Sequence, residues 1–96
     1  MDEQQAEHLA AILSAMANPV RLTILRLLVQ GEVPVSGIAS YAGLSQSAVS
    51  QHLAKLRKQR LVTTRRDAQT IYYSSESPAV RAILQTLDGI NVKIPA

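Results

Sequence analysis

Residues that start helices divide this chain into short segments. Asn18-Pro19 and Ser77-Pro78 each place a strong N-cap residue before a proline at the first helical position, where the missing N–H costs nothing. Ser45 is a third N-cap candidate. These signals predict that separate helices begin after Asn18, Ser45 and Ser77, so no helix can run through most of the chain.

Apolar residues at helical spacing and the glycines between them complete this prediction. Gly31 closes the second helix, Gly43 ends the third in a tight turn, and Gly89 ends the last one, with Pro95 in the tail. The five predicted helices are about Gln4 to Met16, Pro19 to Gly31, Val35 to Ala42, Ser45 to Lys58, and Ser77 to Gly89.

Two further segments have the composition of β-strands. Leu61 to Arg66 and Thr70 to Ser74 are rich in β-branched residues and Tyr, and the polar Asp67-Ala68-Gln69 lies between them. Helices followed by such a hairpin, with Gly43 before the fourth helix, predict a winged helix-turn-helix. The fold class is therefore mainly α with a small two-stranded β-hairpin, and 96 residues leave room for one domain, 1–96.

The fourth predicted helix has one narrow apolar side. Val49, Leu53 and Leu56 recur at i, i+4 and i+7 and predict a single buried stripe. Gln side chains opposite a buried stripe can pair with an adenine edge, and Ser can contact bases or phosphates. The alternative is an ordinary surface helix. The residues predicted to face DNA on this helix are Gln46, Ser47, Ser50, Gln51, Lys55 and Lys58.

Positive charge is concentrated in one third of the chain. The net charge is only +3, but between Glu32 and Asp67 every charged residue is basic. Such a segment favours nucleic acid as the partner, with an anionic membrane surface second and a solvated basic face as the plain alternative. Arg65, Arg66 and Gln69 are predicted to surround the tip of the hairpin and contact the DNA backbone or the minor groove.

The first and last helices carry apolar stripes that a small core has little room to cover. Two copies of the chain related by a two-fold axis would bury these stripes and present two recognition helices. The stripes could instead complete the core of a monomer. The residues predicted to form a homodimer interface are Leu9, Ile12, Leu13, Met16, Val80, Ile83, Leu84 and Leu87.

Several classes of function lack the residues they need. The chain has no Cys, so it has no disulfide, thiolate metal ligand or thiol redox sensor. His8 and His52 are the only histidines, and no nucleophile, paired carboxylate or glycine-rich phosphate loop accompanies them. We therefore expect no enzyme activity, no cofactor and no metal. Without a long apolar run or a signal peptide, we also expect a cytoplasmic protein that does not bind membranes.

Three segments resemble the ArsR/SmtB family of repressors. They are LSAMANPVRLTIL from Leu13, LSQSAVSQHLAKLR from Leu44, and LVTTRRDAQTIYY from Leu61. Together they span most of the chain, and the stretch from Arg65 to Ser75 resembles one branch of the family in particular. The resemblance implies a dimeric DNA-binding repressor whose first and last helices form the dimer interface.

The resemblance also implies roles for individual residues. Gln46, Ser47, Ser50, Gln51 and His52 match the family's recognition helix, and Arg65, Arg66 and Gln69 match its wing. Many family members release DNA when a metal binds to Cys in the third helix, or to Asp and His in the last helix. This chain has no Cys and no His after His52, so neither ligand set can form.

The favoured function is therefore a sequence-specific transcriptional regulator, a homodimeric repressor that binds a pseudo-palindromic operator. Two alternatives stay open. An architectural DNA binder would use the same basic face without preferring a sequence, and a protein-interaction module would dock that face on an acidic protein. Salt dependence and sequence preference distinguish the three, because only the repressor requires both.

Overall fold

The computed structural model describes residues 1–90 and residue 94, so the expectation for Pro95 lies outside the described residues. Five helices and three strands follow one another in the order α1 Glu3–Met16, α2 Pro19–Leu28, β1 Val33–Pro34, α3 Val35–Ala42, α4 Gln46–Lys58, β2 Thr63–Asp67, β3 Thr70–Ser74 and α5 Pro78–Asp88. The winged helix-turn-helix fold predicted from the sequence is confirmed.

Side chains at the predicted N-caps start three of the helices. Asn18 Oδ1 accepts hydrogen bonds from the backbone N–H groups of Val20 and Arg21, at 2.9 and 3.1 Å. Ser45 Oγ accepts from Ala48 N at 3.1 Å, and Ser77 Oγ accepts from the first turn of α5. Each bond satisfies a backbone donor that has no partner inside the helix, which fixes where these helices begin.

The prediction for the end of α2 was wrong. The helix ends at Leu28 with Val29 as its C-cap, so Gly31 lies beyond it and does not close it. The short segment that follows forms β1, which pairs antiparallel with β3 through Val33↔Tyr73 and Pro34↔Tyr72. The wing is therefore a three-stranded sheet in the order β1-β3-β2, and the prediction of only two strands is corrected.

The predicted hairpin forms, with a shorter first strand. Strand β2 begins at Thr63 because Leu61 and Val62 are buried against the helices instead of extending the sheet. Asp67 pairs with Thr70, and Ala68 takes a positive φ of 56° in the turn between them. Ala68 thus adopts the left-handed conformation that a glycine would adopt at lower cost.

Helix α4 ends in a Schellman motif, which sets the direction of the wing. Leu61 N donates to Leu56 O at 3.0 Å and Arg60 N donates to Arg57 O at 2.9 Å, with Arg60 at a φ of 58°. Leu61 is then buried next to the helix end. At the same base of the wing, where β3 ends, buried Ser75 donates through Oγ to Leu61 O and through its N–H to Leu28 O.

One hydrophobic core joins all five helices. Its fully buried members come mainly from the middle helices, and α1 and α5 close it from outside. The buried apolar residues are Ile12, Ala15, Met16, Ile24, Leu25, Leu28, Ile38, Ala39, Val49, Leu53, Leu56, Leu61, Val62, Val80 and Leu84. Within the described residues no single helix has the length and hydropathy of a membrane span, although α1 and α2 together, bent by 93°, meet those criteria.

Candidate nucleic-acid interface

The turn between α3 and α4 presents one side of α4 to solvent. Gly43 takes a φ of 69°, Leu44 N donates to Ala39 O at 3.1 Å, and Ser45 then caps α4. A β-carbon at Gly43 would meet no heavy atom within 4 Å, so glycine is favoured there by its backbone conformation alone. The turn sets α4 across the core with its polar side outward.

The buried side of α4 is as narrow as the sequence predicts. Val49, Leu53 and Leu56 are its buried residues, each 0 or 1% exposed. Of the residues predicted to contact DNA, all are exposed except His52, which is half-buried. The helix therefore touches the protein along one stripe and leaves the remaining side chains available to a partner.

A groove of about 400 Å³ separates α4 from the wing. Gln46 and Ser50 line it from α4, and Gln69 lines it from the turn of the wing. Its other walls are formed by Pro34, Val35 and Ser36 at the start of α3 and by Thr70 and Ile71 of β3. The fold thus brings the predicted Gln69 of the wing next to the predicted Gln46 and Ser50 of α4.

The remaining predicted residues of α4 divide into two groups. By helical periodicity, Ser47 and Gln51 lie opposite the buried stripe, at the outermost part of the helix. Lys55 and Lys58 instead line a cleft of about 270 Å³ between α4 and α1, together with Arg21. Two lysines on this side of α4 extend the positive surface away from the wing and toward the first helix.

His52 faces the interior side of this junction. Its Nδ1 lies 3.4 Å from Nη1 of Arg21, a buried arginine that is 8% exposed. Arg21 also donates from Nε to Ala15 O at 2.5 Å and from Nη2 to Ser14 O at 3.4 Å. Burial lowers the pKa of His52, and the positive charges of Arg21 and Lys55 lower it further. His52 is thus part of a structural contact between α4 and the α1–α2 corner.

The two wing arginines have different surroundings. Arg65 pairs with Glu32 across 2.8 Å between Nε and Oε2, and its guanidinium lies 4.7 Å from the centroid of the Tyr72 ring. The hydrogen bond to Glu32 raises the pKa of Arg65. Arg65 lies opposite Tyr72 and Arg66 opposite Ile71, so Gln69 alone of the predicted wing residues lies in the turn itself.

The predicted interface residues of α1 and α5 divide by burial. Ile12, Met16, Val80 and Leu84 are at most 8% exposed and belong to the core of the single chain. Leu9, Leu13 and Leu87 are 41, 52 and 37% exposed, and Ile83 is half-buried. The first four complete the chain's own core, as the monomer alternative requires, and the others are left at the surface.

Sequence reasoning missed several residues near the candidate interface. Ser36 and Thr70 line the groove beside α4, and Glu32 and Tyr72 hold Arg65. The approach of Glu32 to Arg65 and Tyr72 depends on the pairing of β1 with β3, for which the two-residue strand gave no recognisable pattern. The Asn-Pro-x-Arg spacing did contain a signal for Arg21, because it places an arginine in the first turn of α2.

Metal ligands do not cluster in the part of the chain that the structure describes. No group of three or more His, Cys, Asp or Glu side chains there could hold a metal ion.

Arg26 and Asp88 form an exposed ion pair between α2 and α5, and the hydrogen bond from Arg26 lowers the pKa of Asp88.

A helix-turn-helix with an exposed polar helix and an adjacent basic wing defines a DNA-binding protein of the winged helix-turn-helix class. Residues 18–64 match the family of bacterial regulatory proteins described as the arsR family. The chain belongs to the ArsR family of transcriptional regulators.

The relatives of the chain support the same assignment. The nodulation protein NolR of Rhizobium meliloti is 62% identical over 91% of this chain and 71% of its own length. The transcriptional activator HlyU of Vibrio cholerae is 45% identical over 88% of this chain and 79% of its own length. The crystal structure of NolR from Sinorhizobium fredii superposes with a TM-score of 0.86 at 61% identity, over 88% of this chain and 85% of that one.

These comparisons confirm three predictions. The likeness to the ArsR/SmtB family is confirmed, and the branch that the segment from Arg65 to Ser75 resembles is that of the NolR-type regulators. The chain is a DNA-binding transcriptional regulator, as the motif predicts. Because the family consists of regulators, the prediction that the chain is not an enzyme is confirmed as well.

Proposed function

We propose that this protein is a sequence-specific repressor that acts in the cytoplasm as a homodimer on a pseudo-palindromic operator. Residues 1–96 form one DNA-binding domain in this proposal, with α1 and α5 as dimerisation helices. The observation that carries it is the outer side of α4, where polar side chains stay exposed beside a groove shared with the wing. An exposed polar helix with free Gln side chains suits the major groove.

The proposed DNA contacts follow the geometry of α4 and the wing. Ser47 and Gln51 lie at the outermost part of α4 and would read base edges, with Gln46 and Ser50 beside them. Lys55 and Lys58 would contact phosphates on the side nearer α1. Gln69 would approach the minor groove from the turn of the wing.

The proposed dimer rests on the apolar residues that the single chain leaves at its surface. Leu9 and Leu13 of α1 and Leu87 of α5 are each more than one third exposed. A two-fold axis next to these helices would cover the same residues in both copies. It would also place two copies of α4 in successive major grooves, with half-sites about 34 to 36 Å apart.

Activation of transcription is the second candidate, because HlyU, a relative of this chain, is named a transcriptional activator. The same DNA-binding surface serves either outcome, since the position of the operator relative to the promoter decides whether polymerase is blocked or recruited. We propose no metal or other cofactor for either outcome, because the chain lacks Cys and has no His after His52.

The experiment that tests this proposal is selection of DNA from a random library by the purified protein at about 0.15 M salt, where non-specific binding is partly suppressed. We expect enrichment of an imperfect palindrome, bound about a thousandfold or more tightly than random DNA. Recovery of unselected DNA would support an architectural binder, and recovery of no DNA would support a protein-interaction module. Transcription in vitro from a promoter carrying the selected site then separates repression from activation.

A further inference from the structure

Arg65 and Arg66 are neighbours in β2 but lie on opposite faces of the sheet. Side chains alternate between the two faces along a strand, and directly paired residues of adjacent strands share a face. Arg65 is paired with Tyr72 and Arg66 with Ile71. The two arginine side chains therefore leave the sheet in opposite directions.

The face of Arg65 is occupied by other parts of the protein. Its guanidinium lies over the Tyr72 ring at 4.7 Å, and its Nε donates to Glu32 Oε2 at 2.8 Å. Glu32 immediately precedes β1, whose Pro34 is paired with the same Tyr72. Arg65 thus links β2 to β3 by stacking and to the segment before β1 by an ion pair, across all three strands.

The same ion pair opposes a phosphate contact by Arg65. A phosphate that approached this guanidinium would also approach the Glu32 carboxylate, which carries the same sign of charge. The repulsion would offset part of the attraction of the arginine. Arg65 is therefore poorly placed to contact DNA although it is exposed.

Both faces of the sheet contribute to the candidate DNA groove. Ile71, the partner of Arg66, lines it, and so do Thr70 and Pro34, which share the face of Arg65. The two arginines differ in their partners, because Arg66 is exposed and no ion pair joins it to another residue within 1–90. The charge of Arg66 is therefore available to a phosphate, whereas that of Arg65 is paired with Glu32.

We propose that Arg65 is a positioning residue that holds the wing through Glu32 and Tyr72, and that Arg66 is the wing arginine that contacts a DNA phosphate. This assignment rests on the proposed function, because it takes α4 and the wing as the DNA-binding surface. It replaces the expectation that both arginines contact the backbone, and it gives Glu32 a part in DNA recognition without contact to DNA.

The first test compares Arg65→Gln with Arg66→Gln in the full chain, by measuring affinity for the selected operator over a range of salt concentrations. Each phosphate contact contributes about 0.9 to the slope of log K against log salt concentration. We expect Arg66→Gln to lower the slope by about that amount and Arg65→Gln to leave it unchanged. We also expect Arg65→Gln to weaken operator binding about fivefold, because the wing is less firmly held.

The second test exchanges the charges of the ion pair. Arg65→Glu should weaken operator binding about tenfold or more, because it places two carboxylates side by side. The double variant Glu32→Arg/Arg65→Glu restores an ion pair of opposite orientation, and we expect its affinity to return to within about threefold of the unmodified chain. If Arg65 only stabilised the fold, each variant would lower the thermal unfolding midpoint and the DNA affinity in parallel. The unfolding midpoint of each variant is therefore measured beside its affinity.

Two results would overturn the assignment. If Arg65→Gln lowered the salt slope as much as Arg66→Gln, Arg65 would itself be a phosphate contact. If the double variant stayed as weak as Arg65→Glu, the loss would come from the charge at position 65 and not from the broken pair. Failure of the proposed function has a different signature, because the unmodified chain would then show no preferred sequence in the selection from random DNA.

Discussion

The outer side of α4 and the outer sides of α1 and α5 are both exposed, but their side chains differ in kind. On α4 the exposed residues are Gln, Ser, one Ala and basic residues, and the large apolar residues Val49, Leu53 and Leu56 are buried. On α1 and α5 leucines remain exposed although the core beneath them is filled. A polar surface of the first kind suits the edges of bases, and an apolar surface of the second kind suits a second protein surface. Exposure alone therefore does not identify a partner, whereas the chemistry of the exposed atoms does.

A charge introduced into the exposed apolar surface of α1 and α5 should have the largest effect, because it should weaken the proposed dimer. Leu13 is 52% exposed, so Leu13→Asp should leave the chain folded. In a two-fold dimer the change occurs twice and places two charges in an apolar contact. We therefore expect the dissociation constant of the dimer to increase at least about a hundredfold. Analytical ultracentrifugation measures the change, with Gln4→Asp as a control that adds the same charge on α1. An unchanged dimer mass would remove Leu13 from the interface.

Leu84 is unsuitable for this test even though the sequence places it in the interface. It is 5% exposed and belongs to the core, so a charge there would unfold the chain before it separated two copies. A folded, dimeric Leu84→Asp variant would contradict this description of the core.

Removal of a polar side chain from the outer side of α4 should have the next largest effect, because it should weaken binding to the operator. Gln51→Ala removes a side chain that can form two hydrogen bonds to one base, and we expect about a tenfold loss of operator affinity with little change on random DNA. Competition binding at fixed salt measures both losses, and Gln30→Ala, at an exposed position between α2 and β1, serves as the control. Equal losses on operator and random DNA would show that Gln51 contacts the backbone and reads no base.

The contact between His52 of α4 and buried Arg21 of α2 predicts that the free energy of unfolding depends on pH. Burial and the charges of Arg21 and Lys55 lower the pKa of His52 in the folded chain. In the unfolded chain the pKa is about 6.5, so the unfolded state binds the proton more readily. The stabilisation is therefore fully present above about pH 6.5 and is lost as the pH falls below that value.

Chemical denaturation between about pH 7.5 and pH 5 measures this effect before most carboxylates titrate. We expect His52→Gln to reduce the loss of unfolding free energy on acidification, and His8→Gln, which changes an exposed histidine of α1, serves as the matched control. Equal pH dependence in the His52→Gln variant and the unmodified chain would show that the proton is taken up elsewhere.

The smallest effect should come from a change that touches neither surface. Arg60 takes a φ of 58° at the end of α4, where Gly43 occupies the corresponding place at the end of α3. Arg60→Gly relieves the strain of a side chain in this conformation and should raise the free energy of unfolding by about 1 kcal/mol. Arg60→Ala removes the same charge without this relief and serves as the control. Thermal unfolding compares the two, and equal midpoints would show that the conformation at Arg60 carries no strain.

Features set by neighbouring residues could be predicted from the sequence. The caps at Asn18, Ser45 and Ser77 depend on bonds to residues two or three positions away, so local pattern was sufficient to place three helix starts. The apolar stripe of α4 was also correct, because helical periodicity determines which of its residues share a side.

Features that depend on distant partners could not be predicted in the same way. Strand β1 has two residues, one of them Pro34, and forms only because β3 lies beside it. Periodicity shows that Ile12 and Leu13 lie near one another on α1, but it cannot show that Ile12 fills the chain's own core while Leu13 stays exposed. Likewise, no local pattern shows that Arg65 would meet Glu32, 33 residues earlier in the chain.

The three-stranded sheet also bears on how this protein avoids aggregation. An open sheet edge presents unpaired N–H and C=O groups to which a strand of another molecule can add. At one edge, β1 is only two residues long and includes Pro34, which has no N–H to offer. At the other edge, β2 is exposed along its whole length and carries Arg65, Arg66 and Asp67, whose charges disfavour an incoming strand. Many copies of the protein can thus be present together without their sheets joining edge to edge.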